Sequence, residues 1–477
     1  MSAQPNAASS SSSVLVGGGV SELDNIKFAP NKRFVFRNWA NIYKSKPTFV
    51  HHPKSEEEIQ TIVKVANFRG EKVKVIGSGH SPCDISLTNG HMIILDQYSK
   101  IISVDKEKLT AKVQAGTTIE TINAELYKNY NMAIAVLGSI SFQTISGIIS
   151  TGTHGTGINF GCLPTFIVEM DIVLPSGQVV TVKKGDEDFD AYVCSLGCLG
   201  IISTVTIQCV EAFALTQVQE PSTLTKVLEN LDSLIPSSDH WRFWWFPHTT
   251  NDKCITTSAT RSLIDSKTFV GDSDKITFFG RIRNFFIDRL VGFYSLEFAL
   301  FVSKFIPSLI PMINNTWFNL LFSSKTQVHD VSFKVFNFDC LFKQFVNEWS
   351  IPIENTKEAL LRLKKMIEEK KYKVHFPVEV RFVKRDDVWL SPCYGRDSCY
   401  IGIIMYRPYD FTIPYQEYFA EYNRIMLELG GRPHWAKLDW KLDSEDLYPK
   451  WNDFKNLRRK NDTNNILMND YLERLNL

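Results

Sequence analysis

The sequence predicts an α+β chain whose two halves pack directly on each other. Short β-favouring runs alternate with helical spacing through residues 42–213. Glycine-rich turns interrupt that half at three places. From residue 214 onward, aromatic and aliphatic strand-like runs alternate with charged amphipathic stretches, and no Pro/Gly/Ser linker separates the halves.

The first half opens on a helix. From Glu56-Glu57-Glu58-Ile59 to Asn67, the residues Ile59, Ile62, Val63 and Ala66 share one helical face, and Ser55 stands at the N-cap position. Strand-like segments follow at 73–76, 92–95 and 110–114, then a helix near 117–129, then strands at 166–174 and 201–210. The boundary between halves falls near Glu211-Ala212-Phe213. In the second half, Trp241-Arg242-Phe243-Trp244-Trp245-Phe246 reads as a strand, 355–370 as an amphipathic helix, and 378–384 and 399–406 as strands. There is no internal repeat.

Three glycine turns point to a ligand. Val73-Lys74-Val75-Ile76 runs into Gly77-Ser78-Gly79-His80-Ser81-Pro82, and glycine lets a strand end turn tightly against a bound group. A dinucleotide fingerprint would need a third glycine where Pro82 stands, so the turn is not of the Rossmann type. Gly147-Ile148-Ile149-Ser150-Thr151-Gly152-Thr153-His154-Gly155-Thr156-Gly157 offers the unshielded backbone N–H groups a pyrophosphate needs. Leu196-Gly197-Cys198-Leu199-Gly200 feeds the strand that begins at Ile201. Together these pieces suggest one large cofactor threaded between two parts of a domain.

Four charged or ionisable residues stand out in the second half. Glu379 and Arg381 are two apart in an apolar strand-like run, so they share a face and can hold each other. His434 and Lys437 are three apart after Gly430-Gly431, and one tight turn can bring both to one site.

The set resembles the vanillyl-alcohol-oxidase type of flavoprotein and, within it, the aldonolactone oxidases. The segments that carry the resemblance are Phe36-Arg37-Asn38-Trp39-Ala40, the Gly77-to-Pro82 turn, Leu137-Gly138-Ser139-Ile140-Ser141, the Gly152-to-Gly157 loop, Pro377-Val378-Glu379-Val380-Arg381-Phe382, Ile404-Met405-Tyr406-Arg407-Pro408 and Gly431-Arg432-Pro433-His434-Trp435-Ala436-Lys437. The resemblance implies a two-subdomain PCMH-type FAD-binding domain over 42–213. An α+β substrate (cap) domain with an antiparallel sheet follows over 214–477. It further implies FAD bonded through its 8α-methyl to His80. Cofactor contacts would come from Gly77, Ser78, Gly79, Ser81, Pro82, Gly138, Ser139, Thr144, Gly147, Gly152, Thr153, His154, Gly155 and Ile202.

The implied reaction is oxidation of L-gulono- or D-arabinono-1,4-lactone at C2, with oxygen as acceptor and hydrogen peroxide as product. Glu379, Arg381, His434 and Lys437 would be the catalytic group, with the proton acceptor open between Glu379, His434 and water. Lys437 is the implied cation for the flavin N1–C2=O edge. Gly138 leaves room for oxygen where, by resemblance, the plant galactonolactone dehydrogenase has alanine. The alternatives are a dehydrogenase that passes electrons to cytochrome c, or an alditol oxidase.

Composition limits the rest. With 53 basic and 52 acidic residues the net charge is +1, and no basic field exists to hold nucleic acid. The nine cysteines contain no Cys-x-x-Cys pair and no histidines at zinc spacing, which suits reduced thiols and no metal. Residues 1–30 are expected to be a disordered Ser/Gly-rich tail without a cleavable signal. Residues 284–322 are dense in Phe, Leu and Ile but broken by Pro307 and Pro311, a pattern expected of helices lying on a membrane surface, with a helical hairpin packed on the rest of the domain as the alternative. The resemblance places that membrane at the endoplasmic reticulum or the mitochondrial outer membrane.

Overall fold

Ser55 caps the first helix as its position predicts: its Oγ accepts from the Glu58 N–H, and Gly70, at φ 65°, ends the helix in the left-handed region. The computed structural model describes residues 23–277, 285, 287–338, 342–437 and 442–477. Strand β1 (Phe49–His51), helix α1 (Glu56–Arg69), β2 (Val73–Ile76) and β3 (His91–Ile94) form a small parallel sheet in the order β1-β3-β2. Ile59, Ile62, Val63 and Ala66 of α1 are buried, so the predicted face is the one that packs.

A second, antiparallel sheet completes the first half. Its strands are β4 (Ile101–Asp105), β5 (Thr110–Gln114), β6 (Ile167–Val173), β7 (Val179–Lys183) and β8 (Ile201–Gln208), in the order β7-β6-β8-β5-β4. The helix expected near 117–129 is α2 (Ile119–Glu125), which Thr118 caps. It widens into a π turn over Leu126–Tyr130 and stops at Asn131 with φ 56°. Helix α3 (Ile145–Ser150) is capped by Thr144, whose Oγ1 accepts from the Gly147 N–H.

The second half is built on eight antiparallel strands: β9 (Phe213–Thr223), β10 (His240–Trp245), β11 (Lys253–Leu263), β12 (Thr326–Val331), β13 (Gln344–Pro352), β14 (Val378–Val383), β15 (Ser398–Tyr406) and β16 (Arg432–Pro433). Their order is β12-β9-β11-β10-β14-β15-β13-β16. Helices α4 (Thr356–Glu369) and α5 (Gln416–Glu428) pack together beside the β13 end of this sheet. The fold is therefore α+β, with a mixed two-sheet first half and an antiparallel second half.

Both chain ends return to the first half. Residues 1–22 of the expected tail lie outside the described residues, but 23–30 do not fit a disordered segment. The Phe28 ring packs edge-on to His51 at 4.7 Å and to Phe49 at 6.1 Å, and Arg69 donates to the Ile26 carbonyl at 2.5 Å. An aromatic ring with a ready apolar seat overrides a polar, Ser-rich flank. At the other end, α6 (Trp451–Asn461) and the residues after it leave the large sheet. The Val73 N–H donates to the Ile466 carbonyl at 2.7 Å, and Arg474 forms an ion pair with Asp84 at 2.7 Å. Sequence order alone hides that return.

The apolar stretch 284–322 is only partly described. Helices α7 (Leu296–Ser303) and α8 (Ile310–Leu321) bury Leu296, Leu300, Ile313 and Phe318 against Phe246 and Phe376. Their other side leaves Phe298, Phe305, Met312 and Leu320 exposed. Among the described residues no helix is long and apolar enough to cross a membrane. The eight described cysteines are all free thiols and all buried, in line with the reduced set expected.

Candidate active site

Register in the large sheet creates a row of charge. Trp244 on β10 faces Glu379 on β14, Glu379 faces Gly402 on β15, and Gly402 faces Glu348 on β13. Directly paired residues point to one side, so Glu348 and Glu379 stand on the same face, roughly 10 Å apart across two strand spacings.

Glu379 is clamped through one oxygen. Arg381 Nη2 donates to Oε1 at 2.7 Å, Trp244 Nε1 at 2.9 Å and Arg242 Nη1 at 3.2 Å. Among the described residues, no donor reaches its Oε2. Burial would raise this carboxyl, but Arg381 and Arg242 outweigh it and hold it below the usual 4.5. Arg381 also donates to the Ser139 hydroxyl at 2.6 Å, which ties the pair to the first half.

Glu348 is the centre of the other cluster. Lys437 Nζ donates to its Oε2, and His154 Nε2 lies 3.4 Å from its Oε1. Its backbone carbonyl accepts from the His434 N–H at 2.9 Å. Burial would raise the Glu348 carboxyl, yet Lys437 and the two histidines hold it well below 4.5. The Lys437 N–H closes a turn onto the His434 carbonyl at 2.9 Å, so the three-residue spacing works as predicted. His434 is buried, and burial followed by the Lys437 charge pushes its imidazole well below 6.5. Its Nδ1 accepts from the Ala436 N–H at 3.2 Å, so the neutral ring carries its proton on Nε2 and is a donor there.

A groove of about 910 Å³, open mouth included, runs along the end of β2 in the first half. Gly77, Ser78, Gly79, His80, Ser81, Thr144, Gly147 and Ile202 line it, as expected. Gly79 has φ 66°, and a Cβ on Gly77 would meet Thr144 Oγ1 at 1.9 Å, so only glycines make this turn. Burial lowers the His80 pKa, leaving a neutral ring, and its Nδ1 has no hydrogen-bond partner among the described residues. A neutral imidazole with an unbonded nitrogen is the form that can bond to carbon. These residues fit FAD.

Pro82, Gly138, Ser139, Gly152, Thr153, His154 and Gly155 are not on that wall. Ser139 and Gly155 line a second cavity beside Arg381, and Gly155 is also tightly packed: a Cβ there would meet Val136 Cγ2 at 2.5 Å and the Leu137 carbonyl at 2.6 Å. The 152–157 loop delivers His154 to Glu348, with the His154 ring stacked on Tyr400 at 3.5 Å. Gly138 lies against Thr153, 3.3 Å from where its Cβ would be. Sequence reasoning missed Glu348 and Arg242. A lone glutamate inside the apolar run Phe345-Val346-Asn347-Glu348-Trp349-Ser350-Ile351 was the available signal. His154, Glu348 and His434 bring ligand atoms within 4.8 Å of one another, as do Cys162, Asp386 and Cys393. In the first set Lys437 already supplies the cation to Glu348.

A family model described as D-arabinono-1,4-lactone oxidase matches residues 205–475, and one described as an FAD binding domain matches 47–183. The chain is 41% identical over 445 residues to L-gulonolactone oxidase of Mus musculus, covering 92% of this chain and 98% of that protein. It is 32% identical over 470 residues to D-arabinono-1,4-lactone oxidase of Candida glabrata, covering 87% and 86%. Among solved structures, a cholesterol oxidase from B. sterolicum superposes with a TM-score of 0.73 over 97% of this chain and all of that one, at 13% identity. At that identity the likeness speaks for the fold alone.

Replacing Glu348 with Gln should lower stability at neutral pH by about 3 kcal/mol, the low end for breaking a buried pair, because Lys437 can turn towards water. A depressed carboxylate contributes stability above its unfolded pKa and loses it as pH falls through the folded value. The gap between wild type and variant in urea unfolding should therefore hold down to about pH 4.5 and narrow below it. A gap that stays constant to pH 3 would show that the charge of Glu348 contributes nothing.

Proposed function

The chain belongs to the D-arabinono-1,4-lactone oxidase family, and from its site we propose that Glu379, Arg381, His434 and Lys437 act on a sugar 1,4-lactone bound over the large sheet. It is an FAD-dependent oxidoreductase that oxidises L-gulono- or D-arabinono-1,4-lactone at C2, with oxygen as acceptor. The product is ascorbate or its five-carbon analogue, together with hydrogen peroxide. Bound FAD supplies the hydride acceptor and passes the electrons to oxygen.

The observation that carries the site assignment is the open Oε2 of Glu379. Three donors converge on Oε1 and keep the carboxylate ionised, so its second oxygen is free to accept the hydroxyl proton of the lactone. His434 is not that acceptor. Its Nδ1 is engaged by Ala436 and its Nε2 bears the proton, so it orients the lactone by donating. Arg381 fixes Glu379 and, through Ser139, its position relative to the cofactor domain. Lys437, held by Glu348, is the cation for the edge of the flavin that becomes negative on reduction. His80 carries the flavin covalently.

Helices α7 and α8 lie on a membrane surface in this reading. Phe298, Phe305, Met312 and Leu320 are all more than half exposed, and Lys304 sits over the Phe305 and Phe411 rings. Apolar rings beside a lysine suit the boundary between acyl chains and headgroups.

Four measurements test these assignments. L-gulono-, L-galactono- and D-arabinono-1,4-lactones should each be screened with peroxide detection. Glu379→Gln should lower kcat/KM for the preferred lactone by about two to four orders of magnitude at normal flavin content, and an unaffected variant would remove Glu379 from the chemistry. Acid-precipitated, unfolded protein should stay yellow and give a fluorescent band on a denaturing gel, and His80→Ala should abolish both. Finally, the protein should co-sediment with phospholipid vesicles, and Phe298→Ser with Phe305→Ser should release it; binding that ignores both changes would place the contact elsewhere.

A further inference from the structure

A second cavity opens beside Arg381, distinct from the cofactor groove. It encloses about 380 Å³ with its mouth, and the free room inside is about that of one water molecule. Its floor is one face of the large sheet. Gln217 on β9 pairs with Ala259 on β11, and Thr257, two residues from Ala259, pairs with Arg242 on β10, which in turn pairs with Arg381. Alternation along β11 keeps Thr257 and Ala259 on the same side, so these residues share one face.

Most polar groups on the wall already have protein partners. Arg242 and Arg381 are paired with Glu379, and Ser139 accepts from Arg381. The Thr156 hydroxyl donates to the Trp241 carbonyl at 2.6 Å, and His240 Nε2 accepts from Arg261 Nε at 2.9 Å. Two groups differ. Among the described residues, neither the Gln217 amide nor the Thr257 hydroxyl has a side-chain hydrogen bond, although Thr257 is only 5% exposed. Both line the cavity, so a guest bound there can supply the missing partner. A strand face that puts both on the wall of a small cavity, next to the charged pair, is shaped for a hydroxyl-bearing guest.

We propose that this cavity is the subsite for the terminal hydroxyl of the lactone side chain, with Gln217 and Thr257 as its hydrogen-bonding residues, and that it sets the preference between five- and six-carbon lactones. The proposal rests on the lactone reading above and sharpens it. A 1,4-lactone ring held at Glu379 projects its exocyclic carbons away from C2. A five-carbon lactone carries one exocyclic carbon with one hydroxyl, whereas a six-carbon lactone carries two of each. Room for about one water molecule suits a terminal hydroxymethyl group, which the longer chain can place there. A site built to hydrogen-bond a hydroxyl rejects an analogue that cannot supply it far more strongly than an apolar pocket rejects a missing methylene.

The test compares Thr257→Val, which removes the hydroxyl at constant shape, with Thr257→Ser, which keeps it, and with Gln217→Leu. The kcat/KM for L-gulono- and D-arabinono-1,4-lactone is read by peroxide release, alongside flavin content and melting temperature. Thr257→Val and Gln217→Leu should lower kcat/KM for the six-carbon lactone at least tenfold, mainly through KM. The five-carbon lactone should change less than threefold, flavin content should stay normal, and Thr257→Ser should match wild type. Equal losses on both lactones, or none, would overturn the subsite while leaving the lactone reading intact. A loss in Thr257→Ser as large as in Thr257→Val would overturn it as well, because packing would then be the cause. A wild-type enzyme inert towards every lactone is a different failure: it removes the proposed function and the subsite with it.

Discussion

The structure depends on how it buries charge between its two halves. Glu348 and Glu379 stand on one sheet face, Glu348 buried and Glu379 about one-fifth exposed, and an ion moved into such surroundings loses several kcal/mol of hydration. Each carboxylate is tolerable only if its donors are already in place. Those donors come from separate parts of the chain, Arg242 from β10, Arg381 from β14 and Lys437 from the turn after β16, and His154 of the first half lies beside Glu348. The cations come from the second half, and Ser139 and His154 tie both carboxylates to the first.

What the sequence made legible follows from how local each signal is. Ser55 before Glu56, the Gly77-Ser78-Gly79 turn and the two-residue spacing of Glu379 and Arg381 are all short-range patterns, and each has the predicted geometry. The His434–Lys437 turn is equally local. Glu348 is different, because its role comes from pairing with Gly402, 54 positions on, and from Lys437, 89 positions on. Strand periodicity says which residues share a face but not which strand lies beside which, so the second carboxylate of the row stayed hidden. Arg242 was read as part of an aromatic strand for the same reason.

The loop at 152–157 shows the limit of a composition argument. Glycines among hydroxyl residues suit a phosphate, but they also suit two chain segments pressed together. Here Gly155 lies against Val136 and Leu137, and Gly157, at φ 140°, donates its N–H to the Phe382 carbonyl at 2.7 Å. A Cβ at Gly155 would strike Val136 and Leu137 of the same half, and one at Gly157 would strike the Asp239 carbonyl of the second half, while the loop carries His154 to Glu348. The two uses share a composition, and only long-range packing separates them.

The remaining step concerns the proton. Glu379, His434 and water were equivalent candidates in the sequence, and hydrogen-bond directions divide them. His434 has its acceptor nitrogen occupied by Ala436 and presents a donor. Glu348 is ionised but held by Lys437 at one oxygen, with His154 Nε2 3.4 Å from the other. Glu379 alone of the three presents an open acceptor oxygen, at the cost of a depressed pKa that makes it a weak base. A weak base suffices if the proton moves as the hydride leaves, because the hydroxyl becomes far more acidic once positive charge develops at C2. The arginines that weaken Glu379 also hold its carboxyl below the usual value, so in the proposed role the acceptor is ionised at neutral pH. Basicity is exchanged for full occupancy of the reactive form, and the convergence of Arg242, Arg381 and Trp244 on a single oxygen makes that exchange possible.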